Sequence, residues 1–130
     1  MKLQQKLIYL VLFIFFVSFP LQAADNKDVM TYRNRVMGGI GSNTGSIGDI
    51  LKGKVEYTDM MVHYAKALHE SAQTVSTVFK QDTRGTDKKT RAKDEIWEKW
   101  ADFEGKANDL VKASGDFVAA AETGDMGKIG

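Results

Sequence analysis

The chain has 130 residues, 18 basic against 17 acidic, enough for one small domain of near-neutral charge. That balance, with no basic block interleaved with aromatics, excludes an electrostatic nucleic-acid binder. There is no cysteine and one proline, which excludes a disulfide framework and suits long, uninterrupted helices.

Residues 1–23 read as a secretory signal peptide. Lys2 and Lys6 form the basic start, Leu7 to Phe19 is an apolar run broken only by Ser18, and Pro20 ends it. Ala23 supplies the small residue before a cleavage point after Ala23 or Ala24. The apolar run of about 13 residues is shorter than the roughly 20 that cross a bilayer. A cleaved leader is therefore expected over a membrane anchor, with export to the periplasm and no membrane association afterwards.

The first helix is expected over about 26–52, capped by Asp25 or Asn26 and stopped by Gly53. Its apolar or small residues Val29, Tyr32, Val36, Ile40, Thr44, Ile47 and Leu51 recur at steps of three and four, the pattern of an amphipathic helix. The same segment holds Gly38, Gly39, Gly41, Gly45 and Gly48, and each interior glycine costs roughly 0.5–1 kcal/mol against alanine. Two readings account for them: tight helix–helix packing, or a flat, bulky ligand lying against the backbone.

A second helix is expected over about 59–79, capped by Thr58, with Asp59 in its first turn. Met61, Tyr64, Leu68, Ser71, Val75 and Val78 or Phe79 form its stripe. His63 and His69 are the only histidines; six residues apart on a helix, they point about 120° from each other and cannot chelate one metal as an i, i+4 pair can. Residues 80–89 make a charged loop turning at Gly85, read as solvated surface. A third helix over about 92–122 carries Ile96, Trp100, Phe103, Ala107, Leu110, Ser114, Phe117 and Ala121, widened by Trp97 and Val111. Its repeat near 3.5 predicts bundle packing at roughly 20°. Aromatics on such a face are core residues more often than a cofactor box. Asp125 begins a further helix.

Two blocks carry a family resemblance. Tyr32-Arg-Asn-Arg-Val-Met37, then Gly41-X-X-X-Gly45 and Ile50-Leu-Lys-Gly53, is similar to the first helix of the cytochrome c′ family, the class II c-type cytochromes. Thr90-Arg-Ala-Lys-Asp-Glu-Ile-Trp97, with Trp100 and Phe103, resembles the start of that family's third helix, with Asp94 where proline is usual. The resemblance covers about residues 25–130 and implies an all-α fold: an antiparallel up-down four-helix bundle whose fourth helix is largely missing from this chain. It implies haem c, held in the family by Cys-X-X-Cys-His on that helix. With no cysteine present, the chain reads as a fragment ending before the attachment motif.

By the same resemblance, Arg33 meets a haem propionate, Asn34 reaches the same edge, and Met37 takes the distal position over the iron, as sixth ligand or as cap. Arg91 falls at a propionate-proximal position. Without the resemblance, Arg33 reads as an exposed helical arginine. The function implied is electron transfer or binding of NO and CO, with a redox partner protein or a gas as the other party and a homodimer as one arrangement. The alternative is a haem-free periplasmic bundle acting as an interaction or sensor module. An enzyme is not expected, since no nucleophile triad, phosphate loop or zinc spacing occurs.

Overall fold

A computed structural model describes residues 24–129; the expected leader, 1–23, lies outside them. Helix α1 spans Asn26–Leu51. The Asp25 carboxylate accepts the Lys27 N–H at 2.8 Å, satisfying one of the donors that a helix start leaves without a partner. Gly53, at φ +64°, turns the chain away in a conformation that glycine adopts without strain.

The buried face of α1 is Met30, Arg33, Ile47 and Ile50, with Val36 and Ile40 half-buried. This differs from the apolar stripe expected above: Tyr32 is 59% exposed, and Thr44 and Leu51 also face outward. A charged residue, Arg33, takes the inward position that counting apolar residues assigns to Tyr32.

The second rod is not continuous over 59–79. A 3-10 turn at Thr58–Met60 leads into α2, Met61–Ala72, and then α3, Val75–Phe79. Thr58 does not cap it; the residue before the turn is Tyr57, with no side-chain cap bond. At the break, Thr74 Oγ1 donates to the Ser71 carbonyl at 2.8 Å and Ser71 Oγ to the Ala67 carbonyl at 2.8 Å. Such local bonds compete with the regular helical ladder.

The third rod is also interrupted, and starts later than residue 92. Helix α4 spans Glu95–Glu98 and α5 spans Trp100–Glu122, parted at Lys99 with φ −126° and ψ 52°. Asp94 precedes α4 at φ −60°, the angle that a proline ring imposes. One further turn, α6 at Met126–Ile129, follows Gly124.

Helix α2 lies between α1 and α5 and packs along both. Three antiparallel rods and the short helix α6 thus make up an all-α architecture of the four-helix-bundle type, with no strands among the described residues. Ile47, Ile50, Met61, Ala65, Ala121 and Ile129 close one end of the core. The other end centres on Val75, Val78, Phe79 and Ala107, and is ringed by half-buried Trp97, Trp100 and Phe103. That second end carries the site.

Candidate haem-binding groove

The site begins with a buried charge. Arg33 is 2% exposed, so the exposed-arginine reading is overturned. Its Nε donates to the Val78 carbonyl at 3.0 Å, Nη1 to Thr83 Oγ1 at 2.9 Å and Nη2 to the Gln81 carbonyl at 3.0 Å. The guanidinium carbon lies 4.6 Å from the Phe79 ring centroid and 5.2 Å from that of Trp97, within cation–π range of both. Trp97 is held in turn by its indole N–H, which donates to the Phe79 carbonyl at 2.8 Å.

All three acceptors of Arg33 are neutral, and no ion pair among the described residues includes it. Burial lowers its affinity for its proton, partly offset by the field of Asp82. The Asp82 carboxylate is itself taken by Arg84, at 2.7 Å, and is held below the usual carboxylate range chiefly by that hydrogen bond. A guanidinium has five N–H donors, so one remains on each terminal nitrogen. The molecule thus contains a nearly buried cation held by three neutral acceptors and two aromatic faces, with no direct counter-ion.

Arg33 lies at the inner side of a groove formed by α1, α3 and the segment leading into α4. Two adjoining recesses, about 380 and 320 Å³, share Asn34, Met37, Thr90 and Arg91; volumes of this size suit a small-molecule ligand. The deeper one adds Arg33, Phe79, Ala92 and Ile96, and the outer one Gly38 and Lys89. All four residues singled out from the sequence, Arg33, Asn34, Met37 and Arg91, therefore line one groove. Met37 sits one helical turn from Arg33 and is 36% exposed.

Sequence reasoning missed the floor residues Phe79, Ala92 and Ile96, the brace at Thr83, and Lys89 on the rim. The basic run around Lys89 carries a signal, but alone it reads as ordinary solvated loop. His69 is not in the groove: its Nδ1 lies 2.9 Å from Ser114 Oγ, on the α2–α5 interface. Among the described residues, no cluster of three His, Asp or Glu side chains is arranged to hold a bare metal ion.

The glycines of α1 are placed differently from the close-packing reading. A Cβ built on Gly38, Gly39, Gly41, Gly45 or Gly48 meets nothing within 4 Å beyond the helix's own backbone. Gly38 lines the outer recess with Lys89, Thr90 and Arg91, and Gly39 and Gly48 are half-buried.

The family model described as Cytochrome C′ matches residues 28–130. The chain belongs to the cytochrome c′ family. It is 31% identical over 109 residues to a cytochrome c′ of Rhodospirillum rubrum, covering 84% of this chain and 74% of that one. A cytochrome c′ of Pararhodospirillum photometricum is 27% identical over 108 residues, covering 81% and 86%. The solved structure of recombinant native cytochrome c prime from Alcaligenes xylosoxidans superposes with a TM-score of 0.71 at 25% identity, covering 83% of each chain.

Cytochrome c′ membership implies haem c, iron binding and electron transfer. The groove suits one side of such a group: an apolar floor for the macrocycle, a thioether, and cations at one edge for its carboxylates. With no cysteine, these 130 residues form no thioether bond to a haem vinyl group.

Proposed function

We propose that the protein is a periplasmic cytochrome c′-type haem protein that moves electrons or takes up small gases such as NO and CO, with residues 1–23 as its export leader and 24–130 as the bundle. The observation that carries this reading is the buried Arg33 cation, lacking a direct counter-ion, at the back of a groove floored by Phe79, Ala92 and Ile96. When bound, haem supplies a one-electron couple and an axial coordination position.

The chain's own groups have separable tasks. Arg33 and Arg91 receive propionate charge, and Asn34 offers an amide to the same edge. Phe79, Ala92 and Ile96 would keep water from the macrocycle, and Met37 would offer it either a thioether ligand or an apolar cap. A redox partner protein or a gas is the second party, and a homodimer is compatible with this role.

The test is titration of the full chain with haemin, followed by absorption spectra of both oxidation states. A saturable Soret shift that weakens in Arg33→Met is expected. Comparison of Met37→Ala with wild type, before and after CO, separates ligation from capping. Ligation predicts a change in the ferric spectrum and faster CO uptake; capping leaves the ferric spectrum close to wild type. The absence of cysteine favours one second reading, a haem-free helical interaction or sensor module of the same compartment. A flat titration would select it.

A further inference from the structure

We propose that residues 86–92 form a releasable strap along the groove, pivoting at Gly85 and fastened to α1 by Lys27, Thr31, Asp87 and Lys88. This fastening sets how fast a ligand enters and leaves. The inference rests on the haem reading above and adds a control on the rates of the same site.

The segment between α3 and α4 is tied to α1 at two levels. The inner tie is buried. Arg33 donates to the Gln81 carbonyl at 3.0 Å and to Thr83 Oγ1 at 2.9 Å, and Thr83 is 4% exposed. The Gln81 amide in turn donates to Asn26 Oδ1 at 2.8 Å and to the Ala24 carbonyl at 3.2 Å. The outer tie is solvated. Lys27 Nζ meets the Asp87 carboxylate at 3.1 Å, with both side chains more than half exposed. Lys88 Nζ donates to Thr31 Oγ1 and, at 3.4 Å, to the Lys27 carbonyl.

Gly85 stands between the two ties. Its φ of +77° lies in the left-handed region, which glycine enters and leaves without the steric penalty other residues meet. Nothing lies within 4 Å of its Cβ position. Beyond the outer tie, Lys89, Thr90, Arg91 and Ala92 wall the groove opposite Asn34, Met37 and Gly38. Thr90 Oγ1 accepts the Ala92 N–H at 3.0 Å, a bond internal to that wall. Among the described residues, the polar fastening of the wall to α1 is therefore the tie at Asp87 and Lys88.

The two ties differ in strength. Breaking the inner one strands a buried cation, which is costly. An exposed ion pair contributes little and is screened by salt, so the outer tie opens while the inner one holds. None of Lys27, Thr31, Asp87 and Lys88 lines either recess. The tie thus acts alike on the empty and the filled groove, and entry and exit change together.

The experiment uses the full chain and two variants that keep its net charge, Thr31→Val and the double variant Lys27→Gln/Asp87→Asn. Lys112→Gln/Asp116→Asn, which removes an exposed pair on α5, is the control. Amide deuterium uptake without ligand and stopped-flow association and dissociation of haemin are measured for each. Both strap variants should take up deuterium over residues 86–92 about twofold to fivefold faster than wild type, with residues 78–83 unchanged. Their haemin association and dissociation rates should rise by the same factor, leaving Kd within about twofold of wild type. High salt should bring wild-type uptake over 86–92 toward that of the double variant, and the control should match wild type throughout. Unchanged uptake in both strap variants overturns the strap. Faster uptake with unchanged haemin rates, or a change in Kd carried by one rate alone, overturns its control of the groove while the haem reading stands. Failure of wild type to bind haemin overturns both together.

Discussion

The guanidinium carbon of Arg33 lies 4.6 Å above the Phe79 ring, and Arg33 Nε donates to the carbonyl of Val78, the residue preceding that ring, at 3.0 Å. One side chain of α1 thus fixes both the backbone and the aromatic face of α3. The short helix α3 depends on this brace, because five residues form no stable helix alone.

Arg33→Met is therefore expected to lower stability by about 2–4 kcal/mol, since buried carbonyls lose their donors and a stacked cation is removed. Arg33→Lys should recover little, because an ammonium on a flexible stem cannot meet three divergent acceptors. Urea unfolding followed at 222 nm measures both.

Glycine substitutions should divide by environment. Gly45→Ala places its methyl where nothing lies within 4 Å, so the helix gains about 0.5–1 kcal/mol and the melting temperature rises by several degrees. At Gly115 the new Cβ would stand 3.3 Å from His69 Cε1, on a ring tethered to Ser114 at 2.9 Å. There the propensity gain is offset by displacement of the imidazole. Thermal melts of the two variants should show a clear rise for Gly45→Ala and none for Gly115→Ala.

Trp97→Phe removes the donor held by the Phe79 carbonyl at 2.8 Å while keeping an aromatic ring. The expected loss is about 1 kcal/mol, the ordinary net value of such a bond. If the melt is unchanged, the contact between α4 and α3 is apolar packing alone.

Acid should weaken the fold through its lowered carboxyls. Asp82 is held down chiefly by its hydrogen bond to Arg84, Asp49 by Lys54 and Asp102 by Lys106. A carboxyl with a depressed folded-state pKa contributes stability above its unfolded value of about 4, and loses it as pH falls through the folded value. Melting temperatures taken from pH 7 down to pH 3 should fall below about pH 4. The fall should be shallower in Asp82→Asn and at high salt, because these groups are exposed.

The first helix was the most legible part of the chain. Asp25 caps it and Gly53 ends it, both because local chemistry decides a helix terminus. The stripe of the third rod was equally readable: Ala107, Ser114 and Ala121 are its buried members. The breaks at Gln73–Thr74 and Lys99 were not, since neither contains glycine or proline. They follow from local side-chain bonds at Thr74 and from the different partners of Trp97 and Trp100, the one at the Phe79 carbonyl and the other 5.5 Å from the Phe103 ring. The inward turn of Arg33 was likewise hidden, because its acceptors lie 45 to 50 residues away. At the groove, the family motif marked Arg33, Asn34, Met37 and Arg91. Lys89 carried no distinguishing feature until the loop was folded against α1.

The bare flank of α1 has a dynamic consequence. A rod with five glycines at its centre, none with an atom of another element within 4 Å of its Cβ position, opens locally more readily than the same rod built with alanine. Amide deuterium uptake around residues 38–46 should therefore slow in Gly45→Ala relative to wild type. Whatever comes to lie along that flank will also rigidify it, so occupancy and backbone order are thermodynamically linked in this helix.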